Sequence, residues 1–141
     1  MSKILVKLHY PNACPPSKPR PEDAGWDLYS YRDLSLQPGT TAKLDCGVAI
    51  WVPNNFVGLI FPRSSWRARG LVCHSVYDHG YTGLCQPFVT NASRLTLQIT
   101  EGERVLQFLF LPAQLGDQIQ VVEELPSSSR GTLGAGSSGR F

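Results

Sequence analysis

An all-β fold, a sandwich or barrel with at most one short helix, follows from three observations. Short runs of alternating apolar residues recur along the chain. Turn signals separate them every eight to twelve residues or so, a spacing typical of sandwiches and barrels. Only one segment carries helix-forming residues between start and stop signals. Thirteen glycines and eleven prolines in 141 residues supply the turns. At this length the chain is read as one domain with a self-sufficient core. Pattern alone places a jelly-roll-like sandwich only slightly ahead of a closed barrel.

Residues 3–10 alternate, with Ile4, Val6, Leu8 and Tyr10 on one face, and read as a first strand. Residues 11–22 hold five prolines and cannot form a regular element. Ala24–Tyr29 is a short extended segment. Residues 41–52 alternate again, with Leu44, Cys46, Val48, Ile50 and Val52 on one side. Pro53-Asn54-Asn55 turns the chain into a strand over Phe56–Phe61. Ser64–Gly70 is the helix candidate: a serine can cap its start, Ala and Arg favour helix, and Gly70 can end it. Residues 73–83 read as a hairpin with Asp78 near its turn. Leu95, Leu97 and Ile99 alternate. Val105–Leu111 is nearly continuously apolar, as in a strand buried on both faces. Gln118–Val122 reads as a last strand. From Pro126 onward the chain is rich in Ser, Gly and Arg, so residues 1–125 are taken as the β domain and 126–141 as a flexible arm.

The net charge of +2 is too small to argue for nucleic acid, and no direct nucleic-acid binding is expected. No apolar run reaches the ~18 residues of a membrane span, and the N-terminus lacks the apolar core of a secretory signal. An intracellular setting, cytoplasm or nucleus, is expected. Cys14, Cys46, Cys73 and Cys85 are scattered without metal-ligand spacing and read as reduced thiols. The sequon at Asn91 is expected to be unglycosylated for the same compartment reason.

Five stretches between the strands could carry chemistry. Ala24-Gly25-Trp26-Asp27-Leu28 offers one carboxylate after a Gly turn, which alone reads as a surface turn. Phe61-Pro62-Arg63-Ser64-Ser65 puts a cation and two hydroxyls at a helix start. That equipment suits a phosphate and equally suits a capped helix with a surface Arg. Val76-Tyr77-Asp78-His79-Gly80-Tyr81-Thr82-Gly83 sets an acid and an aromatic plate on a permissive backbone, though most such turns are only turns. Gln107 interrupts an apolar strand, and its amide needs partners, for which core backbone suffices. The tail opens with Arg130 and continues through Gly134, Gly136, Ser137 and Ser138. It is either a floppy end or a cradle for polyphosphate oxygens.

In this order and spacing, the five stretches resemble the motifs of the trimeric deoxyuridine triphosphatase (dUTPase) family, over residues 24–139. The resemblance implies a jelly-roll-like homotrimer with sites shared between subunits. It implies hydrolysis of dUTP to dUMP and pyrophosphate with Mg2+, which keeps uracil out of DNA and supplies dUMP for dTMP synthesis. Asp78 matches the general base that polarises the attacking water; an ordinary Asp is a weak base that works chiefly by orienting water. Arg63, Ser64 and Gln107 match the remaining catalytic positions at the phosphates, and Asp27 the acid that holds magnesium through its water shell. Tyr81 matches the aromatic that packs on deoxyribose and excludes a 2′-hydroxyl. Ser65, Val76, Tyr77 and Gly83 match further substrate contacts. Arg130, Gly134, Gly136, Ser137 and Ser138 match the arm that closes over the γ-phosphate.

Three positions depart from the family pattern. Ala135 stands where the arm's uracil-stacking aromatic is found, and base stacking is worth on the order of 1–3 kcal/mol. Gly80 replaces a second acid in the turn. Cys73-His74-Ser75 is one residue shorter than usual, with Ser75 in place of a common Gly. Two rival readings follow. A dCTP deaminase relative would need a glutamate in the strand after the turn, but residues 84–90 contain no acid. A dUTPase-like protein that has weakened or lost catalysis and binds a protein partner is favoured by Ala135 alone.

Overall fold

The computed structural model describes residues 3–114, 116 and 118–141. Six strands precede the helix: β1 (Val6–Leu8), β2 (Trp26–Tyr29), β3 (Leu34–Leu36), β4 (Thr41–Lys43), β5 (Val48–Ile50) and β6 (Phe56–Pro62). After α1 (Ser64–Ala68) come β7 (Leu71–Val72), β8 (Ser75–Tyr77), β9 (Phe88–Asn91), β10 (Leu97–Ile99) and β11 (Arg104–Pro112). The largest sheet runs β2-β11-β6-β8; the others are β4-β9-β7, β1-β5 and β10-β3, and every pairing is antiparallel. The sheets enclose one core, so the jelly-roll-like all-β expectation holds.

Two predicted runs form that core. Leu44, Cys46, Val48, Ile50 and Val52 are all 3% exposed or less. The run breaks at Gly47, whose φ of +71° suits glycine, and Asp45 Oδ1 accepts the Gly47 N–H at 2.8 Å. Strand β11 is central, bonded to β2 on one edge and β6 on the other, but it is buried on both faces only in its first half: Leu109 and Phe110 are half-buried and Leu111 is exposed. Val105, Leu106 and Phe108 are wholly buried. Gly58 on β6 faces the Phe108 ring so closely that a Cβ would overlap it.

Four expectations need correction. Residues 3–10 form only the short β1; Val6 and Tyr10 pack partly against the core, whereas Ile4 and Leu8 on the same alternation are exposed. Arg63, not a serine, is the N-cap of α1, with no side-chain cap bond, and Ser64 is already helical. The helix is held instead by buried Trp66, over which the Arg69 guanidinium lies at 4.1 Å, and it ends at Gly70 with φ +99°. Residues 73–83 are not a hairpin, because β8 pairs with β6 whereas β9 pairs with β4 and β7. The connection crosses between sheets. Gln118–Val122 belongs to no strand, and Ile119 and Val121 are 96% and 91% exposed. Alternation gives an extended segment its apolar face, but a strand also needs an edge to pair with.

Candidate functional site

Asp27 is the hinge of a charged cluster on the largest sheet. It sits on β2 opposite Gln107 of β11, which in turn lies opposite Phe61 of β6. Although only 7% exposed, its carboxylate is ion-paired twice. Arg63 Nε lies 3.2 Å from Oδ1, and Arg104 Nη1 lies 3.2 Å from Oδ2. Arg63 Nη1 also donates to Arg104 O at 3.1 Å, so the cluster closes on itself. Gln107 Nε2 donates to Pro62 O at 3.1 Å, while its Oε1 is turned against Gly25, where any Cβ would overlap it. The polar interruption of β11 thus has a backbone partner and helps hold the Gly25 turn. Trp66 and Arg67 N–H both donate to Arg63 O, which leaves the N–H groups of Ser64 and Ser65 outside the helix ladder. Both serines are exposed.

The second group lies at the end of β8. Tyr81 N–H donates to Asp78 O at 3.3 Å across a turn whose Gly80 has φ +87°. Glycine, without a Cβ, adopts that φ at no steric cost. Asp78 is exposed, Val76 is 67% exposed and Tyr81 is 47% exposed. The Tyr81 ring folds over Gly83 in contact too close to admit a Cβ there. Asp78, Val76 and Tyr81 line a groove of about 440 Å3 together with His74, Gln86 and Phe88. Tyr77 is different: its ring packs into the core against Phe108, with centroids 5.6 Å apart, and burial drives its hydroxyl pKa up. The ring also meets Tyr81 edge-on, with centroids 5.7 Å apart.

The two groups are not brought together within one chain. Along the sheet, Asp27 and Asp78 are separated by three strand intervals, about 14 Å at ~4.8 Å each. Asp78 follows the Gly58–Tyr77 pair, whereas Asp27 is level with Phe61. That adds about 13 Å along the strands and gives roughly 19 Å between them. The arm stands apart from both. Its hydrogen bonds are local turns, and Arg130 Nε donates to Leu133 O at 2.8 Å within the arm itself. Gly134, Gly136, Ser137 and Ser138 are exposed.

A family model described as dUTPase matches residues 12–139. The chain belongs to the dUTPase family. It is 37% identical over 147 residues to the deoxyuridine 5'-triphosphate nucleotidohydrolase of Mycolicibacterium gilvum (strain PYR-GCK), covering 98% of this chain and 95% of that protein. With the protein of the same name from Mycobacterium tuberculosis (strain ATCC 25177 / H37Ra) it shares 38% identity over 149 residues, covering 99% and 97%. Among solved structures, it resembles the Staphylococcus bacteriophage 80alpha dUTPase bound to dUpNHpp, with TM-score 0.90 and 28% identity over 99% of this chain and 100% of that one. A mutant dUTPase from phage phi11 of S. aureus, solved with a structural Mg(II) ion, matches with TM-score 0.83 and 25% identity over 89% and 100%.

A magnesium ion can be weighed against the donors of this dUTPase-family chain. Among the described residues, no group of three or more His, Cys, Asp or Glu could cage a metal. Asp27 offers a single hard carboxylate, and a carboxylate has about four lone-pair directions, of which the two arginines take two. The remainder suits metal-bound waters. Such a donor fits magnesium held through its water shell.

Arg104 and His79 belong to the site without being part of any motif role that the sequence suggests. Arg104 and Gln107 are three apart, so a regular strand would send them to opposite faces. A register shift between Arg104 and Leu106 turns Arg104 back toward Asp27. Its position in Gly-Glu-Arg next to Gln107 was the available signal. His79, between Asp78 and Gly80, bonds a neighbouring connection and had no sequence signal at all.

The thiols are not catalytic equipment. Cys46, Cys73 and Cys85 are buried and Cys14 is exposed. Burial pushes the Cys73 thiol up to about 11 and Cys85 to about 12, and Cys46 well above the usual range. Asn91 is fully buried, and its amide donates to Leu36 O and Leu95 O. The sequon nitrogen is therefore occupied whatever the compartment.

Proposed function

We propose that this chain hydrolyses dUTP to dUMP and pyrophosphate. The observation that carries the reading is the turn on which exposed Asp78 and the Tyr81 plate flank a groove, joined to a sheet that also carries Arg63, Asp27 and Gln107. Asp78 orients a water and takes its proton as the oxygen attacks the α-phosphorus; the bond from that phosphorus to the β-phosphate oxygen breaks, and pyrophosphate leaves. Val76, Gly83 and the Tyr77 backbone shape the base end of the groove, and Tyr81 lies against the sugar. Arg63, with Ser64 and Ser65, supplies a charged fork and hydroxyls for the phosphates. Gln107 holds the Pro62 carbonyl and so the start of α1. Magnesium, held by Asp27 through water, would offset phosphate charge when bound.

The chain is proposed to act as a homotrimer with sites shared between subunits. The roughly 19 Å from Asp27 to Asp78 is long for one small site, which supports a groove from one copy meeting the arginine cluster of another. Exposed Ile119, Val121 and Leu125 give the chain apolar surface to bury in such an assembly; the number three rests on the family resemblance. Residues 126–141 are proposed to form the lid, with Arg130, Gly134, Gly136, Ser137 and Ser138 meeting the terminal phosphates. An intracellular setting suits the buried thiols.

The deciding experiment is a nucleotide panel. With magnesium, the purified protein is expected to release pyrophosphate from dUTP and far less from dCTP, dTTP or UTP. A second reading, a dUTPase-like binding module, is favoured by Ala135 in the arm. It predicts dUTP binding with no pyrophosphate released at micromolar protein, and that result would replace the first reading.

A further inference from the structure

The turn that bears Asp78 and Tyr81 is long and thinly held. It leaves its ladder at Tyr77, whose partner is Gly58. It rejoins the sheets at Cys85, whose N–H donates to Val48 O at 2.7 Å. Among the described residues, one hydrogen bond ties residues 78–84 to another segment: His79 Nδ1 lies 2.8 Å from Val52 O. A carbonyl oxygen only accepts, so Nδ1 carries the proton. Val52 is 0% exposed and sits where β5 passes into the Pro53-Asn54-Asn55 turn, so the acceptor is fixed by the core. The imidazole also meets the Trp51 ring edge-on, with centroids 5.2 Å apart.

We propose that His79 is a positioning residue that pins the Asp78–Tyr81 turn to the β5–β6 connection. It lies next to Asp78 and touches neither groove wall nor reacting atom. Gly80 and Gly83 make the turn's backbone permissive, and no ladder restrains it; the Tyr81 ring has its edge contact with Tyr77, so the tether chiefly sets the backbone path and with it the direction of the carboxylate. The proposal rests on the dUTP-hydrolysis reading for its kinetic consequence, but the tether is measurable without it.

The test compares His79→Leu, which keeps bulk but loses the donor, with His79→Asn, whose amide nitrogen occupies nearly the Nδ1 position. Both are made in the full chain. Hydrogen exchange of residues 78–84 should quicken in the Leu variant and stay near wild type in the Asn variant, with the thermal midpoint little changed in either. Turnover of dUTP should fall about tenfold in the Leu variant, as displacing a reacting group by even 1 Å can cost more than that, and the Asn variant should recover most of it. Unchanged exchange in the Leu variant would overturn the tether. Quickened exchange with unchanged kcat and KM would overturn the positioning role. A wild-type protein that hydrolyses no dUTP would instead overturn the reading of the site, while the exchange result would stand on its own.

Discussion

Arg104 Nη1 lies 3.2 Å from Asp27 Oδ2 although the two residues are 77 positions apart. The pair forms because the irregularity in β11 puts Arg104 on the same sheet face as Asp27 and Gln107. With Arg63 on the other oxygen, the carboxylate is flanked by two cations. Removing Arg104 leaves a nearly buried charge with one partner. Arg104→Ala is expected to cost about 1–2 kcal/mol in urea unfolding, because the lost bond is charge-assisted but its arginine is half exposed. Activity should fall as Arg63 loses alignment. Unaltered unfolding and unaltered KM would argue that the cluster is ornamental.

Asp27→Asn tests the metal assignment from the other side. The neutral amide leaves two guanidinium groups facing each other without a counter-charge. Titrating the activity with magnesium should show that the variant needs a much higher concentration for half-maximal rate. An unchanged titration would remove Asp27 from magnesium binding.

Asp78→Asn should abolish turnover while dUTP binding, read by calorimetry, stays close to wild type. Stability should shift by no more than about 0.5 kcal/mol, since the side chain is exposed. Retained turnover would take Asp78 out of the mechanism.

Two neighbouring glycines should respond differently. Gly80 has open space for a Cβ but φ +87°, so Gly80→Ala should cost roughly 1–2 kcal/mol in strain. At Gly83 the obstacle is the Tyr81 ring. Gly83→Ala should displace that ring and weaken discrimination against UTP, read as the ratio of kcat/KM for dUTP and UTP. Identical ratios would show that Tyr81 does not meet the sugar.

The buried thiols make a prediction about pH. An unfolded thiol ionises near pH 9, whereas Cys73 and Cys85 hold their protons to about 11 and 12. Above pH 9 the unfolded chain therefore binds fewer protons than the native one, so stability should fall as pH rises. Each thiol contributes a slope of about 1.4 kcal/mol per pH unit. Urea midpoints measured from pH 8 to pH 10.5 check the sign. At pH 8 a disulfide reagent should titrate Cys14 quickly and the other three only after denaturation.

The core was readable in the sequence because burial imposes a period. Leu44 to Val52 and Val105 to Phe108 advertise their surroundings residue by residue. Edges are harder, because a strand's partner is not written in the strand itself. Residues 118–122 alternate like a strand but pair with nothing among the described residues, and the stretch at 73–83 joins two sheets rather than closing a hairpin. Within the site, Asp27, Arg63 and Gln107 were legible as polar residues in apolar or Gly-rich settings. Arg104 was hidden by a backbone irregularity that period counting does not see, and His79 by a bond to a carbonyl that any donor could make.

Asp27, Arg63 and Gln107 share one feature with Asp78: each stands on, or one residue beyond, a strand of the β2-β11-β6-β8 sheet. Strands of one ladder open together more readily than singly, and β11 with its wholly buried Val105, Leu106 and Phe108 belongs at the slow-opening end of the molecule. Asp27, Arg63 and Gln107 are thereby mounted on the part of the chain that exchanges last, whereas Asp78 rides on the thinly held turn beyond β8. Heat or denaturant should therefore loosen the Asp78 turn before the Asp27 cluster, so that activity fades ahead of global melting.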